Sequence, residues 1–271
     1  METGKANNIQ SSSFNIDLCK QYQLLIQLGL KHFSYCIINI NTNNVEYFKN
    51  LPINDEIINI INKEEILKSN FASTSVSFAN FPCTLVPNEV FEIDTSKEML
   101  EFNTEVYDII KSDKLSNIDA HLIYTIPSEI NELVHTFFTN AQQKAQQTIL
   151  IDQFKQFDNE KEHAYLYINQ NILTITAFKK NKLIFNNSFD FDTKEDLLYY
   201  SLFSFEQLKL NTETVKVKLY GQIIKEDANY QLLYEYIRNI AFGSRPKQLK
   251  FSSEFNNLPD HQFYTLFSQS I

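Results

Sequence analysis

Two apolar runs meet at a single glycine in the stretch Leu24-Leu-Ile-Gln-Leu-Gly-Leu-Lys-His-Phe-Ser-Tyr-Cys-Ile-Ile38. Its two apolar runs are typical of buried strands, and Gly29 marks the turn between them. A phosphate-binding hairpin has the same form, with an acidic residue where this chain has Gln27. The question is whether this hairpin binds a nucleotide or only keeps the shape of a nucleotide-binding hairpin.

Composition sets the class of protein. The chain has 271 residues, 43% of them hydrophobic, which is enough for one large or two ordinary domains with a full core. Its net charge of −9 opposes binding to nucleic acid and to anionic membrane surfaces. The first 13 residues lack the apolar core of a signal peptide, and no run approaches the roughly 18 apolar residues of a membrane span. We therefore expect a cytoplasmic protein without membrane insertion.

Glycine, cysteine and histidine usage argues against several chemistries. Only four glycines occur, and none lies in a glycine-rich phosphate motif. Because backbone that approaches a phosphate closely usually needs glycine, few segments here could hold a triphosphate. The three cysteines have no CxxC spacing, so we expect free, mostly buried thiols and no disulfide framework. The five histidines include no pair at ligand spacing, so no metal site is predicted.

The second half of the chain repeats the pattern of the first. A shift of 140 residues lays Leu24 on Ala164, apolar position on apolar position. From His163 the pattern predicts three strands, a helix that starts in a capping box at Thr193, a strand that ends at Gly221, and a last helix that includes Ile240. This order indicates a mixed α/β fold made of two duplicated βββαβα units.

The pattern also predicts domain boundaries. Residues 1–19 form a polar N-terminal tail, and residues 20–143 form the first half, with an insertion at about residues 71–114 that the second half lacks. Residues 144–271 contain a linker helix and the second half.

Several motifs resemble a known family. They are Pro82-Cys-Thr-Leu-Val-Pro87, Asp192-Thr-Lys-Glu-Asp-Leu-Leu-Tyr-Tyr200, Phe205-Glu-Gln-Leu208, Leu219-Tyr-Gly-Gln222, Tyr236-Ile-Arg-Asn-Ile240, Arg245-Pro246 and Pro259-Asp-His-Gln-Phe263. They are similar to those of an uncharacterised Bacteroidetes domain family of unknown function assigned to the actin-like ATPase fold. Two ribonuclease-H-like βββαβα units are the architecture of that superfamily. The resemblance spans roughly residues 20–268 and is strongest from residue 190 onward.

The resemblance implies where a nucleotide would bind in active members of the superfamily. Each of their halves opens with an acid and a glycine in the first hairpin, and a further glycine turn contacts the nucleoside. The matching residues here are Gln27 and Gly29, Tyr167 and Asn169, and Gly221 and Gln222. An amide neither acts as a general base nor attracts magnesium as a carboxylate does. We therefore interpret all six residues as vestiges of a nucleotide cleft and assign no catalytic residue and no cofactor.

The resulting hypothesis is a non-enzymatic binding or scaffold protein, a pseudo-ATPase that contacts other proteins. A divergent ATPase or phosphotransferase that binds ATP with magnesium is the alternative, and its candidate acids are Glu195, Asp196 and Asp227. A ribonuclease-H-like nuclease is a third reading that the negative charge disfavours. The partner and the oligomeric state stay open at this point.

Other candidates have a structural and a functional reading. Asp190 and Asp192 could pair at a metal, although an acid at a helix start is the common use. His261 could be a general base or a packing residue. Arg238 and Arg245, the only two arginines, suit phosphate recognition or a structural ion pair, for instance with Glu235 or Glu254. Some tyrosines could form a docking surface, namely Tyr199, Tyr200, Tyr220, Tyr230 and Tyr234.

Overall fold

A computed structural model describes residues 7–53 and 56–269. The chain divides into two compact units. The first comprises Met1–Ile149, Pro246–Leu258 and Thr265–Ile271, and the second comprises Leu150–Arg245 and Pro259–Tyr264. The division therefore lies a few residues after the predicted boundary at 143/144, and the C-terminal segment belongs to both units instead of the second alone.

The elements of the described residues follow in chain order. The strands are β1 (Asn7–Gln10), β2 (Tyr22–Leu28), β3 (His32–Asn39), β4 (Asn44–Pro52), β5 (Ser73–Phe78), β6 (Cys83–Pro87), β7 (Ile109–Lys114), β8 (Ala120–Ile126), β9 (Gln142–Ala145), β10 (His163–Asn169), β11 (Ile172–Lys179), β12 (Lys182–Asp190), β13 (Lys216–Gly221), β14 (Asn239–Phe242) and β15 (Lys250–Phe251). The α-helices are α1 (Ile57–Lys63), α2 (Ser96–Glu101), α3 (Ser128–Phe137), α4 (Gln146–Lys155), α5 (Lys194–Gln207), α6 (Ala228–Tyr236) and α7 (Tyr264–Phe267). None of these helices is both long enough and apolar enough to cross a membrane.

The first unit is built on a seven-stranded sheet with the order β1-β4-β3-β2-β5-β9, in which β15 also pairs with β4. The N-terminal segment differs from the polar tail expected over residues 1–19, because Asn7–Gln10 pairs antiparallel with β4. Residues 1–6 lie outside the described part of the chain.

The predicted insertion at about residues 71–114 also differs from the structure. Its first strand, β5, pairs parallel with β2 and belongs to the main sheet. The additional material follows β5 and includes a separate three-stranded sheet with the order β6-β8-β7. The sequence pattern misplaced this boundary because Ser73–Phe78 has serine at every second position and only two apolar residues, Val76 and Phe78, which is a weak strand signal.

The second unit contains a five-stranded sheet with the order β12-β11-β10-β13-β14. Its helix α5 starts in the predicted capping box: the Thr193 hydroxyl accepts from the Asp196 N–H at 3.1 Å, and the Asp196 carboxylate accepts from the Thr193 N–H at 2.9 Å. The predicted last helix is shorter than expected. It ends at Tyr236, and Ile240 lies in β14 instead, paired with Val217 of β13.

The two hairpins confirm the duplication. In the first unit Leu24 pairs with Ile37 and Gln27 with Ser34. In the second unit the residues 140 positions later pair in the same register, Ala164 with Ala177 and Tyr167 with Thr174. In both units the strand that opens the hairpin also pairs parallel with a later strand, β5 or β13. The same topology and register in both halves make this a duplicated ribonuclease-H-like fold.

The central strand β10 is buried on both faces, as a covered parallel strand should be. One face is aliphatic: Ala164, Leu166 and Ile168 lie in a core to which α5 contributes Leu197 and Phe205 and α6 contributes Leu233. The other face is aromatic. Phe154 of α4 stacks on Tyr165 at 4.3 Å between ring centroids, and Tyr220 lies 4.5 Å from Tyr264.

Candidate functional site

The first hairpin places Gln27 in the middle of the main sheet of the first unit. Its side chain is 7% exposed. The Thr265 hydroxyl of α7 donates to Gln27 Oε1 at 2.5 Å, and Gln146 Nε2 at the start of α4 donates to that hydroxyl at 3.4 Å. Gln27, which the sequence resemblance matches to the acid of active members, is therefore an amide that is already hydrogen-bonded within the unit.

The backbone next to Gln27 is also covered by the C-terminal segment. Gln269 Nε2 donates to the Ile26 carbonyl at 2.9 Å and to the Ser77 hydroxyl at 2.7 Å. Gly29 follows Gln27 and closes the hairpin, since its N–H donates to the His32 carbonyl at 2.9 Å. The N–H of this glycine is used inside the turn.

A half-buried carboxylate of β7 contacts the junction of β9 and α4. Asp113 Oδ2 accepts from the Ala145 N–H and from the Thr148 hydroxyl, both at 2.7 Å. Burial raises the pKa of Asp113, while these two donors act in the opposite direction. The carboxylate thus holds the start of the helix that carries Gln146. The sequence analysis did not single out Asp113, because an acid in a half-polar strand carries no distinguishing pattern.

In the second hairpin, a side chain of the same unit accepts a hydrogen bond from the N–H of the turn. Gln170 adopts φ 58° at the turn, and its N–H donates to Gln222 Oε1 at 3.1 Å. The Gln222 N–H donates to the Ile168 carbonyl at 2.6 Å. Tyr167 and Asn169 are both buried, so neither predicted vestige of this half is open to solvent.

Gly221 forms a tight turn after β13. It has φ +87°, and a Cβ at this position would lie 2.0 Å from the Ile168 carbonyl oxygen. No other residue type fits such an approach. The Gly221 N–H donates to the His261 carbonyl at 2.9 Å, so the C-terminal segment closes this turn too.

His261 has a structural position. Its Nε2 lies 2.6 Å from the Ile223 carbonyl, which only accepts hydrogen bonds, so Nε2 carries the proton. The ring stacks on Phe242 with 4.3 Å between centroids. Burial lowers the pKa of His261 and favours the neutral ring. These contacts fit the packing reading and leave Nε2 engaged.

The candidate acids lie at helix starts. Asp196 belongs to the capping box, and Glu195 and Asp192 are exposed beside it. Asp227 precedes α6 and accepts from the Ile224 N–H at 2.9 Å, and burial raises its pKa. Among the described residues, no group of three histidines, cysteines or acids is arranged to hold a metal ion.

The arginines are divided between two environments. Arg245 Nε lies 3.0 Å from Asp260 Oδ1, which fits the structural ion-pair reading with Asp260 as a partner. Arg238 is exposed after α6. The candidate tyrosines are divided as well: Tyr199 and Tyr234 are exposed, Tyr200 is half-buried, and Tyr220 and Tyr230 are buried.

Comparison with known proteins identifies the family. Residues 11–240 match the family described as "Protein of unknown function (DUF3822)". The chain belongs to the DUF3822 family. No curated protein shows significant similarity to it.

Two solved structures confirm the fold of this DUF3822 chain. A Bacteroides thetaiotaomicron protein with an actin-like ATPase fold and unknown function is 21% identical, with a TM-score of 0.78 over 86% of this chain and 94% of that chain. A chain of the PilM-PilN type IV pilus biogenesis complex is 8% identical, with a TM-score of 0.60 over 92% of this chain and 97% of that chain. At these identities the likeness shows the fold alone. The predicted family and the predicted actin-like architecture are both confirmed.

The contact between Gln27 and Thr265 makes the first prediction. Thr265→Val keeps the side-chain shape but leaves Gln27 Oε1 buried without its donor. We expect the free energy of unfolding to fall by about 1–3 kcal/mol, measured by chemical denaturation. The double variant Gln27→Met/Thr265→Val removes both polar groups and should be more stable than Thr265→Val alone. Wild-type stability of the single variant would contradict this assignment.

A second prediction concerns pH. Burial lowers the pKa of His261, as it does for His32 and His163. The unfolded chain therefore binds more protons than the folded chain once the pH falls below the ordinary histidine value of about 6.5. Stability is fully present above that pH and is lost as the pH falls toward the folded pKa values.

The measurement is the melting temperature at pH of about 7.5 and about 5.5. His261→Gln keeps a donor near Ile223 but does not titrate, so its melting temperature should fall less on acidification than that of the wild type. His135→Gln, at an exposed position, is the control and should behave as the wild type does. An equal loss in His261→Gln and wild type would show that His261 does not contribute.

Proposed function

We propose that this chain is a non-enzymatic, cytoplasmic binding or scaffold protein whose actin-like fold no longer carries ATPase chemistry. At each of the three vestigial elements, a polar group is already hydrogen-bonded within its own unit. The carboxylate position holds Gln27 bonded to Thr265, and the second hairpin's turn is bonded to Gln222. The Gly221 turn is closed by the His261 backbone.

The chemistry of these residues supports the proposal. Phosphoryl transfer from a nucleotide relies on magnesium and on a group that orients or deprotonates the nucleophile. Gln27 and Tyr167 stand where active members carry acids, and neither side chain supplies a carboxylate. A ligand would also have to displace hydrogen bonds that the unit makes to itself, at a cost in free energy.

Protein contacts are the function that the fold supports best once nucleotide chemistry is absent. The PilM-PilN structure, by its own description, is a complex within the type IV pilus biogenesis machinery, so this fold occurs in a protein that assembles with another. Fold alone does not carry function from one protein to another, and the analogy serves only to favour protein partners over small substrates.

The alternative is a divergent ATPase or phosphotransferase that binds ATP with magnesium through other acids. Asp227 is the candidate that the structure favours, since its carboxyl group is buried and its pKa is raised. Glu195 and Asp196 are exposed or occupied in the capping box.

Thermal shift with ATP and ADP, with and without magnesium, separates the two. We expect no magnesium-dependent change in melting temperature, because the proposal has no nucleotide bound. Binding would be easy to detect, since a ligand that binds the native state adds about 2.7 kcal/mol of stability at 100 times its Kd. Asp227→Asn is the matched variant. A magnesium-dependent rise in the wild type that is absent in Asp227→Asn would overturn the scaffold proposal and support the alternative.

A further inference from the structure

Helix α5 of the second unit is apolar on two faces. Leu197 and Phe205 fill the core, as expected for one face of a surface helix. The outer face of such a helix is usually polar, yet here it carries the exposed Tyr199 and Phe203, while Leu198 and Leu202 lie at its border, partly buried against the core. Packing within the unit therefore does not account for the exposed aromatic side chains of this helix.

This outer face lines a groove of about 520 Å³ together with α6. The residues that line it are Glu195, Leu198, Tyr199, Leu202, Phe203, Glu206, Leu232 and Tyr236. The six from α5 recur at the i, i+3, i+4 spacing of a helix-packing stripe. The stripe runs over the 12 residues from Glu195 to Glu206, or about 16 Å of helix, which is the length of three turns.

The aromatic side chains of the groove are open to solvent. Tyr199 is 58% exposed, Phe203 44% and Tyr236 52%. Tyr199 and Phe203 stack on each other with 5.6 Å between ring centroids, so they form one continuous apolar surface. Tyrosine and phenylalanine are the residue types enriched in the buried centre of protein interfaces.

A carboxylate stands at each end of this apolar stripe. Glu206 lies in the last turn of α5, which contains no basic residue, so its charge adds to the negative end of the helix dipole. Within residues 7–53 and 56–269 it makes no salt bridge. Glu195 at the other end pairs with Lys194 at 3.8 Å, and this pair is exposed and therefore weak. Both ends of the groove favour a cation.

This charge pattern argues against a second copy of the chain as the occupant. In a two-fold symmetric dimer the same stripe would face itself. Two antiparallel copies of α5 would then bring Glu195 of one copy opposite Glu206 of the other, and like charges opposed in an apolar contact are costly. A net charge of −9 on each copy adds to the repulsion.

We propose that this groove is a docking site for a basic amphipathic helix of a partner protein. The helix would place apolar residues at i, i+3, i+4 and i+7 on Tyr199, Leu202 and Phe203, with a lysine or arginine at each end for Glu195 and Glu206. Helix-in-groove recognition of this kind depends on an apolar face for affinity and on end charges for orientation. The inference rests on the proposed protein-binding function and names the chemistry of the partner.

The test uses the full chain and two fluorescent peptides of about 14 residues, long enough for the three-turn stripe. One peptide carries leucines at i, i+3, i+4 and i+7 between terminal lysines, and its twin replaces the lysines with glutamates. Fluorescence anisotropy measures the affinity of each. The wild type should bind the basic peptide saturably and its acidic twin much more weakly, with an affinity that falls as salt is raised.

Matched variants locate the binding. Tyr199→Ser/Phe203→Ser removes the apolar centre and should weaken binding by roughly tenfold or more. Tyr234→Ser is the control, because Tyr234 is also 58% exposed but does not line the groove. Glu195→Lys/Glu206→Lys should invert the preference in favour of the acidic peptide. All of these positions are exposed, and circular dichroism with the melting temperature checks that each variant folds.

Three results would overturn the docking proposal. They are the absence of saturable binding, equal affinity for the two peptides, and the same loss in Tyr234→Ser as in Tyr199→Ser/Phe203→Ser. A dimer in sedimentation that Tyr199→Ser/Phe203→Ser dissociates would replace the basic helix with a second copy. None of these results restores nucleotide binding, so the scaffold proposal fails only on its own thermal-shift test.

Discussion

An unpaired polar group in a protein interior costs about 1–3 kcal/mol, and this constraint explains how the two hairpins are completed. A charged carboxylate in the first hairpin would need water or a cation as well, because one hydroxyl does not compensate its charge. The amide of Gln27 is neutral, and one hydroxyl, that of Thr265, satisfies its oxygen. In the second hairpin, the turn N–H of Gln170 finds its acceptor in Gln222. The polar groups of each hairpin are therefore satisfied by hydrogen bonds within its own unit.

The C-terminal segment has a central place in this arrangement. It supplies the His261 carbonyl to Gly221 in the second unit, and Thr265 and Gln269 to the first hairpin in the first unit. Tyr264, between these contacts, lies in the aromatic layer on one face of β10. A short stretch of chain thus supplies partners for four groups, which are the Gly221 N–H, the Gln27 side-chain oxygen, the Ile26 carbonyl and the Ser77 hydroxyl.

The sequence predicted the parts of this structure that depend on local patterns. Apolar alternation and the 140-residue shift placed both hairpins, and the spacing of Thr193 and Asp196 placed the start of α5. It failed where the local signal was weak or misleading. β5 is rich in serine, so its place beside β2 was missed, and Ile240 continued a helical spacing although it lies in β14.

The partners of the site residues were not predictable at all. Gln27 and Thr265 are 238 positions apart, and Gln170 and Gln222 are 52 apart. Only the tertiary fold joins them. Of the five tyrosines that the sequence singled out as a docking surface, only Tyr199 lines the groove, and the shape of that groove depends on the position of α6. The amino-acid composition indicates an aromatic surface, but the shape of that surface depends on how the two helices pack.

The N–H groups of both hairpin turns are bonded within their own units, Gly29 to the His32 carbonyl and Gln170 to Gln222. Hydrogen exchange of the Gln170 amide, read by NMR, shows whether this turn is open to a ligand. We expect this amide to be protected in the free protein, Gln222→Ala to expose it to rapid exchange, and ATP with magnesium to change neither the rate nor the chemical shift. A Gln170 amide that exchanges rapidly in the free wild-type protein and becomes protected on addition of ATP with magnesium would contradict this expectation.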